Sequence, residues 1–213
     1  MYVPAAFEES RLEVLQGLIR QQPLATLVTW TAGGLAANHI PLYLRASGTG
    51  PGTLVGHVAR ANPLWREVDT GTAVLAIFQG PQAYVSPSWY PTKQEHGKVV
   101  PTWNYAVVHA RGPLRVVDDA AWVRAQLLEL TQQQEAGAAQ PWAVDDAPRE
   151  YTDGLLKALV GIEIAVQQLT GKWKVSQNQP AHNQAGVVRA LAAAGTDQSA
   201  AMAALVQERA RPD

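Results

Sequence analysis

The sequence predicts a mainly β fold, an antiparallel barrel to which α-helices have been added. Six or seven segments of strand character follow one another at short spacing and are separated by turns that contain glycine or proline. Helical patterns are inserted between some of these segments and appended at the C-terminal end. No glycine-rich phosphate loop of the dinucleotide or P-loop type is present. The pattern therefore favours an all-β or α+β class over a βαβ nucleotide-binding fold.

The length and composition predict a single domain over residues 1–213. The chain has 213 residues, of which 47% are apolar, enough for one buried core and short for two ordinary domains. From about residue 180 the sequence is alanine-rich, with Gly195 between two helical stretches, one ending near Ala194 and one beginning at Asp197. Residues 180–213 are therefore expected to be a helical tail.

The N-terminal third predicts one helix and then strands. Residues 8–22 place four aliphatic side chains at helical spacing, and Pro23 ends this amphipathic helix. The runs 25–31 and 35–45, joined by Ala32-Gly33-Gly34, read as a β-hairpin. A loop at 46–52 leads into a further strand at 53–57.

The middle of the chain adds a short helix and more strands. Residues 62–69 are expected to form the helix, with Asn62 as N-cap and Pro63 in the first turn. Residues 72–79 and 82–86 are strand candidates on either side of Gly80-Pro81. The proline- and aromatic-rich stretch 87–101 is expected to be a long functional loop.

The C-terminal half alternates strands and helices. Strand character returns at 102–117, with a bulge or edge expected at Gly112-Pro113. Asp118 is expected to cap a helix to about residue 136, and a second helix is expected at 149–159. Residues 161–176 form the last strand candidate, with a bend expected at Thr170-Gly171.

The composition excludes several classes of function. The chain has no cysteine, which rules out a disulfide framework, a thiolate zinc site, an iron–sulfur cluster and a cysteine nucleophile. The formal net charge is -1, so no bulk positive field attracts nucleic acid or anionic lipid. Five scattered histidines show no recognised metal-ligand spacing, and no metal is expected. Neither a secretory signal nor a membrane-spanning run is seen, which predicts a cytoplasmic protein.

Two polar clusters accompany the predicted strands of the first third. The pair Asn38-His39 is equally consistent with a hydrogen-bonded core pair and with a ligand contact. The segment 57–62 includes His57, Ala59, Arg60 and Asn62 and lies just before a predicted helix start. Exposed N–H donors at a helix start and a neighbouring arginine suit a phosphate, whereas Arg60 as an ordinary surface charge is an even alternative.

Aromatic and amide side chains form the later clusters. The stretch 86–105 joins Ser-Pro-Ser-Trp-Tyr to a second aromatic group that includes Trp103 and Asn104. These suit a planar, hydrogen-bonding ligand, but they are equally typical of a protein–protein interface. The last strand ends in Gly171-Lys172-Trp173-Lys174-Val175-Ser176-Gln177-Asn178, which is either a solvent-facing end or a wall of the same pocket.

Taken in this order, the clusters resemble the PaiB family of FMN-binding split-barrel proteins, known as negative transcriptional regulators. The stretches that carry the resemblance are Met1-Tyr2 with Pro4 and Phe7, Asn38-His39-Ile40-Pro41, 57–60 with Asn62-Pro63-Leu64-Trp65, 84–90, 100–105 with Val108-His109, Gly161-Ile162-Glu163-Ile164, and 171–178. They extend over nearly the whole chain. The combination of SPSWY, VPTWNY and SQN in one register is specific, while each motif alone is weak.

The resemblance implies a split β-barrel related to the pyridoxamine-phosphate oxidases, with FMN held in a homodimer. By analogy, Asn38 and His39 lie along the ribityl and phosphate side, and residues 57–62 hold the phosphate. Trp103, Asn104 and the region 174–178, with Lys174, Gln177 and Asn178, come from the partner chain or cover the ring. The sequence departs from the family at Gln179 and Asn183, where a basic and an acidic residue are common.

Two functions follow from the resemblance. The first is an FMN-binding regulator, for which the family suggests DNA as a partner. The near-neutral net charge of the chain does not favour direct contact with DNA. The second is a flavin-dependent oxidoreductase, an FMN reductase or a relative of the pyridoxamine-phosphate oxidases. A third hypothesis is a dimeric binding module that has no cofactor. The sequence alone does not decide whether the protein is an enzyme.

Overall fold

A computed structural model describes residues 1–48 and 50–210, and within them the chain forms two compact units built from interleaved segments. The first unit comprises Met1–Leu18, Gln79–Val108 and Thr170–Asp213. The second comprises Ile19–Phe78 and His109–Leu169. The single domain expected over residues 1–213 remains a prediction.

The described residues contain ten β-strands and seven α-helices. The strands are β1 (Glu8–Glu9), β2 (Leu24–Thr31), β3 (Gly34–Pro41), β4 (Tyr43–Ser47), β5 (Gly50–Ala59), β6 (Val74–Val85), β7 (Thr102–Gly112), β8 (Leu114–Val117), β9 (Leu159–Ala165) and β10 (Gln168–Lys174). The helices are α1 (Leu12–Gln21), α2 (Leu64–Glu67), α3 (Thr92–His96), α4 (Ala120–Glu135), α5 (Arg149–Leu156), α6 (Ala181–Ala193) and α7 (Asp197–Glu208). Three short 3₁₀ turns lie at Ala5–Phe7, Pro87–Trp89 and Val144–Asp146.

The strands form two sheets. One sheet has the order β1-β10-β7-β6-β2-β3, and the other has the order β4-β5-β9-β8. The pairs β1–β10, β2–β3, β2–β6, β4–β5, β5–β9 and β8–β9 are all antiparallel. This is the antiparallel split β-barrel with peripheral helices and a helical C-terminal segment that the sequence predicts, and the predicted fold class is confirmed.

The core of the second unit includes apolar strand residues on the face of the four-stranded sheet opposite α4. Leu54, Ile162 and Ile164 are fully buried. Gly161 allows α4 to approach the sheet closely, because a Cβ at this position would lie 2.4 Å from the ring of Trp122. Val55 lies on the same face as Gly161, and burial of Val55 and of Val123 on α4 favours packing of the helix against the strands.

In the first unit, the C-terminal helices pack on a core that includes Trp173, Val187 and Met202, all buried. A Cβ on Gly186 would lie 2.1 Å from the carbonyl oxygen of Trp89, so only glycine lets α6 lie against the Pro87–Trp89 turn. The approach fixes the position of the aromatic stretch that the sequence marked as functional.

Several predicted boundaries differ from the structure. The stretch 161–176 was expected to be one strand bent at Thr170-Gly171, but the structure has two strands there. β9 ends at Ala165, β10 begins at Gln168, and the two belong to different sheets. Conversely, the two strands expected around Gly80-Pro81 are one continuous strand, β6. Pro81 lies beyond the part of β6 that pairs with β2, which covers Leu75 to Ile77, so its missing N–H interrupts no bond to β2.

The helix ends also differ. The first helix was expected over 8–22, but its start belongs to β1, and α1 spans Leu12–Gln21. Asp119 caps α4 instead of Asp118, because its carboxylate accepts from the N–H groups of Ala121 at 2.8 Å and Trp122 at 3.0 Å. The helix expected over 149–159 ends at Leu156 because Leu159 begins β9.

Candidate functional site

A cavity of about 280 Å³ in the first unit gathers polar side chains from the predicted ring-side clusters. Asn104, Lys174 and Asn178, three of the five residues predicted for this side, line it. The other lining residues are Phe7, Tyr90, Val100, Pro101, Thr102, Ser176 and Gln179. The structure therefore brings together residues that lie more than 60 positions apart in the sequence, because β7 begins and β10 ends at this cavity.

Asn104 is the buried polar centre of this cavity. Its side chain is completely buried, and its Nδ2 donates to the Oγ of Ser176 at 2.9 Å. Its Oδ1 has no hydrogen-bond partner among the described residues. A buried acceptor without a donor costs about 1–3 kcal/mol, so this oxygen is a candidate acceptor for a bound group that carries an N–H or O–H.

Ser176 fixes the orientation of the Asn104 amide from a strained backbone position. Its φ angle is +63°, in the left-handed region that side-chain-bearing residues rarely adopt. The carbonyl oxygen of Ser176 accepts from the Nε2 of Gln184 at 3.2 Å, which ties this turn to α6. A strained residue held by surrounding bonds at a cavity wall is typical of a binding site.

Two donor groups line the same cavity as Asn104. The Nζ of Lys174 donates to the Oγ1 of Thr102 and places one positive charge on the wall of the cavity. Tyr90 is 4% exposed, and burial raises the pKa of its phenol, so its hydroxyl stays protonated at neutral pH. The cavity therefore offers a cation, a neutral hydroxyl and one free carbonyl-type acceptor.

Gln177 and Trp103, the other two residues predicted for the ring side, do not line this cavity. The Oε1 of Gln177 accepts from the N–H of Val175 at 2.7 Å, so its amide folds back onto its own chain. Trp103 is 49% exposed and donates from its Nε1 to the Oε1 of Gln82 at 3.0 Å. Because neighbouring residues of a strand face opposite sides, Trp103 and Asn104 cannot both face the cavity.

The residues predicted for the phosphate side lie in the second unit, where Asn38 and Asn62 form a direct contact. The Nδ2 of Asn62 donates to the Oδ1 of Asn38 at 2.9 Å, and the Oδ1 of Asn62 accepts from the N–H of Leu64 at 2.9 Å. This contact joins β3 to the segment that follows β5.

His39 lies on the opposite face of β3 from Asn38. In the β2–β3 register it is paired with Thr26, on the face that carries Trp30 and Leu35. Trp30 is 52% exposed and Leu35 is 72% exposed, so this face is apolar and open to solvent. The predicted pair Asn38-His39 is therefore divided between an inner polar contact and an outer apolar face.

Arg60 is engaged by the protein itself. Its guanidinium makes two bonds to the carboxylate of Asp118, at 2.9 and 2.5 Å, and donates to the carbonyls of Lys157 at 2.8 Å and Leu159 at 3.1 Å. The hydrogen bonds between the two side chains raise the pKa of Arg60 and lower the pKa of Asp118. Its charge is therefore offset, and a phosphate at this position would compete with Asp118.

The remaining predicted residues have structural partners or small side chains. The Nδ1 of His57 lies 2.8 Å from the Oε1 of Gln126, a fully buried residue of α4. Ala59 is exposed at the end of β5. The helix expected over 62–69 is only Leu64–Glu67, so the dipole at its start is small.

Sequence reasoning did not select Tyr90, Thr102 and Ser176 as site residues, although all three line the cavity. The aromatic run SPSWY pointed to the region of Tyr90, and the dense polar end of the last strand pointed to the region of Ser176. The left-handed backbone of Ser176 leaves no trace in a single sequence. No group of three or more His, Asp or Glu side chains in residues 1–48 and 50–210 is arranged to hold a metal ion.

The fold and the cavity define a split-barrel protein of the flavin-binding class. Residues 1–168 match the family described as "Putative FMN-binding domain", and the chain belongs to this family. An uncharacterized protein of Emericella nidulans is 36% identical over 98% of this chain and 97% of its own length. The protease synthase and sporulation protein PAI 2 of Bacillus subtilis is 29% identical over 98% of both chains. The resemblance to the PaiB family is confirmed.

A solved structure shows the same fold. The FAD and heme binding protein of Mycobacterium smegmatis superposes with a TM-score of 0.55 and 18% identity, over 78% of this chain and 73% of that chain. No helix in the described part of the chain is long and apolar enough to cross a membrane.

Proposed function

We propose that the protein binds FMN as a homodimer in the cytoplasm and acts as a regulator of the PaiB type. The observation that carries the proposal is the buried Asn104, whose Oδ1 has no partner while its Nδ2 is fixed by Ser176. Membership of the FMN-binding family supports the choice of ligand.

The chemistry of the cavity fits a flavin ring. One edge of an isoalloxazine carries an N–H between two carbonyl groups, and the free Oδ1 of Asn104 suits the N–H. Lys174 and the hydroxyl of Tyr90 can donate to carbonyl oxygens, because both line the same cavity. When bound, the flavin supplies electron-transfer chemistry, and the protein supplies position and polarity.

By the family resemblance, the phosphate end is assigned to Asn38, His39 and the segment 57–62 of one protomer, while the ring-side residues come from its partner. The Asn38–Asn62 amide contact supports this assignment, because it holds that segment next to β3. Arg60 forms an ion pair with Asp118, so its charge is not free to bind the phosphate. The proposal therefore requires the phosphate to share Arg60 with Asp118 or to displace Asp118.

The homodimer is supported by the open face of β2 and β3. Its alternate residues Leu24, Val28, Trp30, Leu35 and Ala37 are apolar, and Leu24 is 60% exposed. Exposed contiguous apolar surface on a sheet is typical of an association surface. A second copy would bury it and would bring His39 into the interface.

A regulatory role is favoured over turnover by the relatives. The Bacillus subtilis protein that is similar over the full length is named for protease synthesis and sporulation. The net charge of -1 gives no basis for strong direct DNA binding, so we propose that regulation is tied to occupancy of the flavin site.

Titration with FMN tests the proposed site. We expect wild-type protein to bind FMN and Asn104→Leu, which keeps the volume and removes the acceptor, to bind at least tenfold more weakly. Asn183→Leu is the matched control, because Asn183 is also a buried amide, 2% exposed, but does not line the cavity. Equal affinity of the wild type and Asn104→Leu would contradict the proposed site, and no binding by the wild type would contradict the function.

A further inference from the structure

A second cavity, in the second unit, lies between α4 and α5 and is not part of the flavin proposal. Its volume is about 210 Å³. Its apolar lining is formed by Leu127, Trp142, Val144, Leu155, Leu156 and Leu159. An apolar cavity of roughly 150 Å³ is already large enough to bind benzene, so this one can hold a ring with a short substituent.

One cation lies in this apolar lining. The Nη2 of Arg124 forms an ion pair with Asp145, while its Nη1 is buried and has no hydrogen-bond partner among the described residues. Nη1 carries two N–H donors, and leaving them buried without an acceptor is unfavourable. The cavity thus combines an apolar lining with the cationic side chain of Arg124, one of whose donor groups has no acceptor among the described residues.

The walls of the cavity are held by hydrogen bonds of the backbone between α4 and α5. The N–H of Trp142 donates to the Oε2 of Glu135 at 3.1 Å, and the N–H of Ala143 donates to the Oδ2 of Asp146 at 2.8 Å. The indole of Trp142 is 48% exposed and lines a neighbouring cavity of about 430 Å³ as well. The site is therefore preformed and reachable from solvent beside Trp142.

We propose that this cavity binds a small carboxylic acid with an aromatic or branched aliphatic body. The apolar lining accepts the body, and the carboxylate accepts from the Nη1 of Arg124. Asp145 is the competing carboxylate, but its side chain is 71% exposed and can turn to water when the ligand binds. Arg124 selects for an acceptor group and disfavours an amine of the same shape.

Calorimetric titration of the full chain, saturated with FMN, tests this proposal with phenylacetate as the probe. Phenylethylamine, of similar shape and opposite charge, tests the selectivity for an acceptor. We expect saturable binding of phenylacetate and at least tenfold weaker binding of phenylethylamine. Arg124→Met keeps the apolar stem and removes the donors, and we expect it to weaken phenylacetate binding about tenfold.

Two further variants make the test decisive. Arg149→Met is the matched control, because Arg149 lies on α5 with a side chain 89% exposed and does not line the cavity. Leu155→Trp fills the cavity while leaving the Arg124–Asp145 pair intact, and we expect it to abolish binding even if Arg124→Met does not fold. No binding by the wild type, unchanged binding in Leu155→Trp, or equal binding of both probes would overturn the proposal.

Discussion

The Nδ2 of Asn104 donates to the Oγ of Ser176 at 2.9 Å, and Ser176 adopts a left-handed backbone with φ of +63°. A strained residue thus sets the orientation of a buried amide whose Oδ1 has no partner among the described residues. The pair explains how the ends of two strands build a polar cavity from residues that are distant in the sequence.

The two roles of Ser176 can be separated by substitution. Ser176→Ala removes the hydroxyl and keeps the strain, and we expect a loss of about 1–3 kcal/mol in the free energy of unfolding. Ser176→Gly also removes the hydroxyl but relieves the left-handed strain, so it should be about 1 kcal/mol more stable than Ser176→Ala. Urea unfolding measures both. If the alanine variant were the more stable, the strain at this position would be refuted.

Asp118 is expected to limit the affinity for FMN if Arg60 meets the phosphate. Asp118→Asn removes the competing negative charge, so FMN should bind more tightly, most clearly at low ionic strength. Arg60→Gln should bind FMN more weakly than the wild type. Fluorescence titrations at two salt concentrations measure these effects. An Asp118→Asn protein that binds FMN no better would show that Arg60 only holds the fold together.

The open face of β2 and β3 predicts a disruptive effect of charge at Ala37. Ala37→Lys places an ammonium group in the centre of this face and should convert the proposed dimer to a monomer. Ala200→Lys, on an exposed position of α7, is the control and should leave the dimer intact. Sedimentation equilibrium distinguishes the two states. A wild type that sediments as a monomer would remove the dimer from the proposal.

His109 is expected to make the protein sensitive to mild acid. Burial lowers the pKa of His109 below 6.5, with a smaller contribution from Arg111, and its Nδ1 has no partner among the described residues. The unfolded chain therefore binds more protons, and stability decreases as the pH falls through and below about 6.5. His109→Phe should flatten this slope in unfolding curves measured between pH 7 and 5. An unchanged slope would assign it to other groups.

The sequence predicted the parts of the fold that local patterns determine. The hairpin of β2 and β3 and the helices on either side of Gly195 are confirmed, because turn residues and caps act over a few positions. The second strand of the hairpin was expected over 35–45, but it ends at Pro41, and Tyr43 begins β4 in the other sheet. The division of the chain after Ala165 was not predictable, since strand propensity does not say which sheet a strand joins.

The candidate site, too, could be predicted only in part from the sequence. Asn104, Lys174 and Asn178 were selected because they lie in polar and aromatic clusters that resemble the PaiB family, and the structure brings them to one cavity. The bond between Arg60 and Asp118 joins residues 58 positions apart, so the sequence could not reveal that this charge is already offset. The unpartnered Oδ1 of Asn104 likewise depends on packing of the whole unit.

The absorption spectrum of the purified protein tests the central claim most directly, combined with identification of any chromophore that denaturation releases. The account predicts a flavin spectrum and the release of FMN, one molecule per chain, after reconstitution with excess FMN. A colourless protein that stays colourless after reconstitution, with an Asn104→Leu variant that behaves identically, would contradict it.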